Sequence, residues 1–190
     1  MGIPLKKESI ITSEEYLAIE RKAGHKSEFY DGDMFAMAGA SARRNLIVSN
    51  LVVEIGNQIK SKDCRIYSSD MRLNIHKNGL NTYPDIMVTC GNELFSDDVY
   101  MDTLLNPILI IEVLSKSTES YDRGKKFKMY RELDSLMEYV LVAQDNYHVE
   151  HYLRQNNDKW ILSDCKKKSS WILLLNYKIN MIDIYNNIKI

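Results

Sequence analysis

Two carboxylates stand inside apolar segments of the sequence, where an ionised side chain is costly. Glu112 lies within the aliphatic residues 108–114, and Asp85 opens the apolar segment that runs to Val88. A carboxylate in a buried strand loses hydration worth several kcal/mol, so it needs a cation, hydrogen-bond donors or a proton. Each residue also has an ordinary explanation, because Asp85 can be a turn former at a strand entry and Glu112 can be a buried ion-pair partner.

A lysine further along the chain also stands where an apolar residue is expected. On a helical wheel for residues 122–133, Lys126 lies in the stripe that contains Met129 and Leu133, one turn after Asp122. A lysine that faces the core is costly unless carboxylates or a polar cavity receive it. The alternative is an exposed i,i+4 pair between Lys126 and Asp122, which is common on helix surfaces.

Together these three charges suit metal-assisted hydrolysis of a phosphodiester. Asp85 and Glu112 can share a hard divalent cation, with water in the other positions. Lys126 can position an attacking water, help to deprotonate it and offset negative charge in the transition state. His148 and His151 are three apart on a predicted strand, so they point to opposite faces and do not suit a shared metal.

The elements that must position these residues begin with helical and hairpin patterns. A capping box at residues 12–15 predicts a helix over residues 13–23, and residues 26–37 predict a hairpin that turns at residues 31–32. Apolar residues at intervals of four predict a long helix over residues 41–59, buried around much of its circumference.

Short β-type segments fill most of the remaining chain. The predicted strands span residues 65–68, 71–76, 85–89, 107–114, 139–142, 149–153, 160–162 and 171–175. Asn78-Gly79 marks a turn between the second and third of these, and the last four are expected to be antiparallel. With the helix over residues 122–133, this order predicts an α/β fold in which helices flank a mixed β-sheet.

Length, composition and charge limit the class of protein. The chain has 190 residues, 45% of them hydrophobic, and 25 Lys and Arg against 26 Asp and Glu, which leaves a net charge of -1. These values are typical of one soluble globular domain, here residues 1–190, and give no global attraction to nucleic acid. The first ten residues contain no apolar leader segment, and the longest apolar runs are far below the roughly 20 residues that span a bilayer. No membrane partner is therefore expected.

The cysteine pattern predicts the compartment. Cys64, Cys90 and Cys165 are far apart, odd in number and without a CxxC pair. We expect them to be small buried side chains rather than a disulfide framework or a zinc site, which favours a reducing, cytoplasmic location.

The charged positions lie in segments that resemble a known family. Residues 83–85 (Tyr-Pro-Asp), residues 111–118 (Ile-Glu-Val-Leu-Ser-Lys-Ser-Thr) and residues 122–127 (Asp-Arg-Gly-Lys-Lys-Phe) resemble, in this order, the Uma family of putative restriction endonucleases. That family is part of the PD-(D/E)xK nuclease superfamily. The flanking segments at residues 28–32 and 37–41 are also similar, but Arg44 stands where the family often has His.

The resemblance implies a restriction-endonuclease-like core and Mg²⁺-dependent cleavage of DNA, with Mn²⁺ as a substitute. Asp85 and Glu112 would be metal ligands, with the Val113 carbonyl as a third. The superfamily usually places its lysine two residues after the Glu, where this chain has Leu114. The family places it on the following helix, which corresponds to Lys126.

Two further acids would support this site, and several alternatives stay open. Glu28 corresponds to an early Glu of the family that helps to hold the metal shell, and Asp122 is a second supporting acid. The roles of Arg44 and Asp70 are undetermined. The main hypothesis is a DNA endonuclease without an organic cofactor, in which paired sites of a homodimer would suit cutting of both strands. The rivals are a catalytically silent domain that binds nucleic acid or a protein partner, and a hydrolase of smaller phosphoesters.

Overall fold

The computed structural model of the protein describes residues 11–97 and 99–190, so the expectation for a leader in the first ten residues lies outside the described residues. The helices are α1 (Ser13–Glu20), α2 (Ala42–Ile59), α3 (Glu119–Tyr121), α4 (Phe127–Tyr130) and α5 (Met181–Ile184). A π-helical turn, Asp122–Lys126, joins α3 to α4, and a 3₁₀ turn spans Asn156–Asp158. Within these residues, no helix combines the length and the apolar character that crossing a bilayer requires.

The strands are distributed over three sheets. They are β1 (Ser27–Tyr30), β2 (Asp33–Ala36), β3 (Cys64–Ser68), β4 (Arg72–Ile75), β5 (Leu80–Thr82), β6 (Ile86–Cys90), β7 (Thr103–Leu104), β8 (Leu109–Val113), β9 (Glu138–Val142), β10 (Val149–Arg154), β11 (Trp160–Cys165), β12 (Trp171–Leu174) and β13 (Tyr177–Asn180). A five-stranded sheet has the order β2-β1-β5-β4-β7, a six-stranded sheet has the order β11-β10-β9-β8-β6-β3, and β12 pairs with β13. The β4–β7 and β8–β9 pairs are parallel and the others are antiparallel, so both larger sheets are mixed.

The six-stranded sheet lies between two hydrophobic cores. On β8, Leu109, Ile111 and Val113 pack on one side with α2, β12, β13 and α5. Ile110 and Leu114 pack on the other side with β4, β5 and α4. Because side chains alternate along a strand, Glu112 faces this second core. The core that contains Ile110 is therefore the one that must accommodate the Glu112 carboxylate.

Several sequence predictions are confirmed. The α/β class with mixed sheets flanked by helices is correct, as are the hairpin and the antiparallel pairing of β9, β10 and β11. The capping box is formed, since the Thr12 hydroxyl accepts from the Glu15 N–H at 3.2 Å and the Glu15 carboxylate accepts from the Thr12 N–H at 2.8 Å. That helix is shorter than predicted and ends at Glu20.

Other predictions are wrong in instructive ways. The helix predicted over residues 41–59 buries only Ile47, Leu51, Ile55 and Ile59, whereas Leu46 is 41% and Val53 57% exposed. It therefore packs with one stripe and is not buried around much of its circumference. The helix predicted over residues 122–133 begins earlier, at Glu119, and ends at Tyr130. Strands β5, β7 and β13 and helix α5, all four residues or shorter, were not predicted.

The cysteine prediction is also wrong. Cys64 and Cys90 form a disulfide, with their Cα atoms 4.0 Å apart, and Cys165 is free. The cause is the register of β3 on β6, which places Cys64 directly opposite Cys90 although 26 residues separate them in sequence. The disulfide removes the cysteine argument for a reducing compartment, so the cytoplasmic location stays a prediction.

Candidate active site

Asp85 and Glu112 lie side by side at the ends of neighbouring antiparallel strands. The register pairs Ile86 of β6 with Ile111 of β8, so the next position along each strand places Asp85 opposite Glu112. The two residues are 3% and 2% exposed. Asp85 Oδ2 accepts a hydrogen bond of 2.8 Å from the N–H of Val113, which fixes this carboxylate at the strand end.

Lys126 reaches this pair from the π-helical turn. Its Nζ atom lies 2.8 Å from Glu112 Oε1, 3.7 Å from Asp122 Oδ1 and 4.0 Å from Glu28 Oε2. Its side chain is 7% exposed, so the prediction that Lys126 faces the core is confirmed. A π turn is uncommon and inserts one extra residue into a helical turn. Here it places both Asp122 and Lys126 on the buried side.

Glu28 approaches from the five-stranded sheet. It lies on β1, where its Oε2 accepts from the Thr82 hydroxyl at 2.8 Å and its Oε1 accepts from the Tyr121 hydroxyl. Glu112 Oε1 accepts a further hydrogen bond of 2.7 Å from the Tyr130 hydroxyl. Burial, and then the charge of Glu112, raise the pKa of Tyr130 well above its ordinary value, so the phenol remains a donor.

Arg44 is a site residue whose role sequence reasoning left undetermined. Its Nε donates to Asp85 Oδ1 at 2.8 Å from the first turn of α2, which Ser41 caps by accepting from the Arg44 N–H. A signal was present, because Arg44 precedes Ile47 by three residues and Leu51 by seven and so lies on the buried stripe. On a helical wheel Arg44 therefore interrupts an apolar stripe, as Lys126 does.

Asp70 does not belong to this site. Its side chain is 87% exposed and pairs with Lys26. His148 Nε2 bonds Asp164 at 3.0 Å, whereas His151 Nε2 bonds Glu138 at 3.0 Å, so the two histidines have separate partners.

The buried charges of the site perturb one another. Burial, and then Glu112, raise the pKa of Asp85, while Arg44 and the Val113 N–H oppose the change. Burial, and then Glu112, likewise raise the pKa of Asp122 to about 6. Burial works to lower the pKa of Lys126, but the nearby carboxylates outweigh it and raise that pKa above its ordinary value. Lys126 is therefore an ammonium ion in this arrangement.

The surplus negative charge of the site would favour one hard divalent cation. When ionised, Glu28, Asp85, Glu112 and Asp122 pair with no cation of residues 11–97 and 99–190 other than Arg44 and Lys126, which leaves two of their negative charges uncompensated. The described residues contain no group of three or more His, Cys, Asp or Glu side chains arranged around a metal position. A site here would need Asp85, Glu112 and the Val113 carbonyl, with water completing the shell. Such an oxygen set is typical of Mg²⁺.

A cleft of about 1590 Å³ opens over these residues. Asp85, Glu112 and Lys126 line its floor, and exposed cations such as Arg43, Lys116 and Lys125 line it too. The cleft above the acidic centre is therefore large enough for a molecule much larger than a metal ion.

The fold matches a solved structure. The crystal structure of "a putative nuclease belonging to DUF820" from Anabaena variabilis ATCC 29413 superposes with a TM-score of 0.76 and covers 92% of this chain and 97% of its own, at 17% identity. The protein thus has a nuclease-like fold.

Sequence comparison gives the family. "Uncharacterized protein sll1609" of Synechocystis sp. (strain ATCC 27184 / PCC 6803 / Kazusa) is 40% identical over 155 residues, which are 82% of this chain and 87% of the relative. "Uncharacterized protein slr1290" of the same organism is 34% identical over 152 residues, or 80% of this chain and 78% of the relative. The model of the Uma2 family, described as "Putative restriction endonuclease", matches residues 13–179. The chain belongs to the Uma2 family, as the resemblance of its motifs indicated.

Proposed function

We propose that the protein is a Mg²⁺-dependent DNA endonuclease, with Mn²⁺ as a substitute, that hydrolyses phosphodiester bonds in the cleft above Asp85, Glu112 and Lys126. The observation that carries this proposal is the position of the Lys126 ammonium, 2.8 Å from Glu112 in a buried pocket that also contains Asp85. A core that needed only stability would not gather four carboxylates there, because taking each ionised carboxylate out of water costs several kcal/mol.

The acidic and basic residues of the site would have different roles. Asp85 and Glu112 would hold the cation, together with the Val113 carbonyl. Glu112 Oε1 accepts from both Tyr130 and Lys126, so Oε2 is the oxygen left for the cation among the described contacts. When bound, the cation would act as a Lewis acid on a phosphoryl oxygen and lower the pKa of a nearby water.

Lys126 would act as a fixed positive charge. Its raised pKa keeps its proton in place, so the residue suits orienting a water and offsetting charge that develops on the phosphate. Glu28 and Asp122 would hold the ammonium in position from two further sides, at 4.0 Å and 3.7 Å.

Cleavage assays test this proposal. Purified protein is incubated with supercoiled plasmid and with single-stranded circular DNA in Mg²⁺, Mn²⁺ or EDTA, beside Asp85→Asn, Lys126→Met and the surface variant Lys77→Met. We expect metal-dependent cleavage by the wild type and by Lys77→Met, and a loss of at least 100-fold, on the order expected for an electrostatic catalytic group, in the two site variants. Equal cleavage by all four proteins would mean contamination and would overturn the proposal.

A second candidate is a catalytically silent domain that binds nucleic acid or a protein partner. One observation favours it: both oxygens of Asp85 already have partners, Arg44 and the Val113 N–H, at 2.8 Å each. Calorimetry with Mn²⁺ separates the two functions. Binding that is lost in Glu112→Gln supports the endonuclease, whereas no binding by the wild type supports the silent domain.

We also propose that residues 1–190 form a single restriction-endonuclease-like domain and that the protein forms a homodimer. A dimer would bring two copies of the site to one DNA molecule. Light scattering that reports a monomer with and without DNA would rule the dimer out.

A further inference from the structure

The cleft-facing side of the first hairpin carries an aromatic ring beside the acidic centre. In the β1–β2 pair, Phe35 is directly opposite Glu28. Opposed residues of an antiparallel pair point to the same face, with Cβ atoms roughly 5 Å apart. Glu28 reaches the site, so Phe35 lies on the cleft side next to it. Phe29 points the other way and stacks on Tyr16 with a centroid distance of 5.0 Å.

Phe35 is exposed, unlike the other aromatic residue on the same face. Its exposed fraction is 53%. Tyr30, two positions from Glu28, is partly buried and has the Lys125 ammonium 4.4 Å from its ring centroid. Among the described residues, no aromatic ring or cation is stacked on Phe35. The face of the Phe35 ring is therefore available to a ligand.

The apolar surface continues from Phe35 along the wall of the cleft. Residues 36–40, with the sequence Ala-Met-Ala-Gly-Ala, carry no charge and line the cleft as far as the start of α2. Four of these five residues are Ala or Gly, so a flat molecule can approach the backbone closely. This wall lies between Phe35 and the cation Arg43.

Three exposed cations around the cleft can meet a polyanion. Arg43, Lys116 and Lys125 are exposed, line the cleft and form no ion pair with another described residue. A free aromatic ring and an apolar wall beside unpaired cations are what a single-stranded nucleic acid needs, because its bases present apolar faces and its phosphates are negative. In a duplex the base faces are covered by their neighbours in the stack.

We propose that Phe35 and residues 36–40 form a stacking site for an unpaired nucleobase, so that the substrate is single-stranded DNA with its backbone held by Arg43, Lys116 and Lys125. This inference rests on the proposed function, because the stacked base would flank the phosphodiester above Glu112. It gives that site a substrate class.

Binding without metal tests the inference, because EDTA removes the cation that the proposed cleavage needs. Fluorescence anisotropy is measured with a labelled single-stranded dT oligonucleotide of 12 nucleotides and with a dA·dT duplex of the same length, for the wild type, Phe35→Ala, Phe35→Leu and Phe35→Trp. We expect the wild type to bind the single strand more tightly than the duplex. Phe35→Ala should weaken binding of the single strand about 5- to 150-fold, which is the range for loss of one base–aromatic stack.

The other variants distinguish stacking from general apolar contact. Phe35→Trp should bind within about twofold of the wild type, with quenching of the new indole, whereas Phe35→Leu should resemble Phe35→Ala. Trp171→Ala is the matched control, since Trp171 is 50% exposed on a strand with a lysine near its ring and does not line the cleft. Its binding should be unchanged.

Failure of this inference and failure of the proposed function give different results. Tighter binding of the duplex, or equal binding by Phe35→Ala and the wild type, would overturn the stacking site even if Asp85 and Lys126 prove necessary for cleavage. Loss of binding in Phe35→Ala without any cleavage by the wild type would support the stacking site and reject the endonuclease. Thermal melting of Phe35→Ala confirms that the exposed substitution leaves the fold intact.

Discussion

The guanidinium of Arg44 donates to Asp85 Oδ1 at 2.8 Å. The N–H of Val113 donates to Asp85 Oδ2 at the same distance. In this structure the protein therefore supplies its own cation to a carboxylate that we propose as a metal ligand. A divalent ion and Arg44 would compete for Asp85, and the affinity for metal would be reduced by the stability of this ion pair.

Replacing Arg44 tests this competition. We expect Arg44→Gln to bind Mn²⁺ at least about threefold more tightly than the wild type by calorimetry, since the competing ion pair is gone and the surplus negative charge is larger. In EDTA the same variant should melt at a lower temperature, because Asp85 stays buried without a cation. Added Mn²⁺ should raise the melting temperature of Arg44→Gln by more than it raises that of the wild type.

The neighbouring arginine is the control for that experiment. Arg43 is exposed and forms no ion pair with another described residue, so Arg43→Gln should leave both Mn²⁺ affinity and melting temperature unchanged. Weaker Mn²⁺ binding by Arg44→Gln would show that Arg44 helps the cation to bind and would contradict the competition.

The raised pKa of Asp122 predicts a pH dependence of the metal-free protein. A carboxyl group whose pKa rises from 3.8 to about 6 on folding binds its proton more tightly in the folded state, so its contribution to stability is complete below pH 4 and is lost as the pH rises through 6. Asp122→Asn removes the titrating carboxyl group, so the variant does not lose this stability as the pH rises. In EDTA we expect the variant to be about 2–3 kcal/mol more stable than the wild type at pH 7.5 and nearly equal at pH 4. Urea unfolding at the two pH values measures the difference, and a gap that does not grow with pH would contradict the assignment.

Gly124, in the middle of the π turn, is a position at which we expect a substitution to stabilise the protein. A Cβ atom at this position would have no heavy atom within 4 Å, and its φ lies outside the left-handed region. Gly124→Ala should therefore stabilise the protein by about 0.5–1 kcal/mol, because alanine loses less backbone entropy in a helix. Metal-dependent cleavage should remain at the wild-type rate. Destabilisation, measured by urea unfolding, would show that the π turn requires glycine.

The disulfide between Cys64 and Cys90 is expected to stabilise the edge strand β3 of the six-stranded sheet. It closes a loop with a sequence separation of 26, for which chain entropy gives about 3.5 kcal/mol. Reduction with dithiothreitol should lower the melting temperature by about 7–14 °C.

Thiol titration tests the pairing itself. The chain has three cysteines, so the denatured protein should react at one thiol before reduction and at three afterwards. Three reactive thiols before reduction would disprove the pairing, and Cys165→Ser should lower each count by one.

The sequence predicted those parts of the site in which a charge interrupts an apolar pattern. Asp85, Glu112 and Lys126 each violate the pattern of their own segment, and the structure brings them together. Arg44 violates the pattern of α2 in the same way, but it occupies the first turn, where a polar residue is ordinary near the cap. The violation was therefore less visible.

The other wrong or missing predictions concern properties that depend on more than one segment of the chain, or on segments that are very short. The register of β3 on β6 decides whether Cys64 meets Cys90, and register depends on the assembled sheet. The division of the strands into separate sheets likewise depends on pairing between distant segments. Strand β13 and helix α5 are four residues each, which is too short for a periodic signal to be distinguished from a turn.

The acidic centre draws its members from two different layers. Glu112 belongs to the six-stranded sheet and Glu28 to the five-stranded sheet, and the Lys126 nitrogen is 2.8 Å from the first and 4.0 Å from the second. A small displacement between the layers would change the separation between Glu28 and Glu112, and with it the position of the ammonium between them. Phe35 would travel with Glu28, since both belong to one hairpin. A DNA strand that binds to that hairpin and moves it would thus move the Glu28 carboxylate as well. The electrostatic field around the Lys126 ammonium would then change.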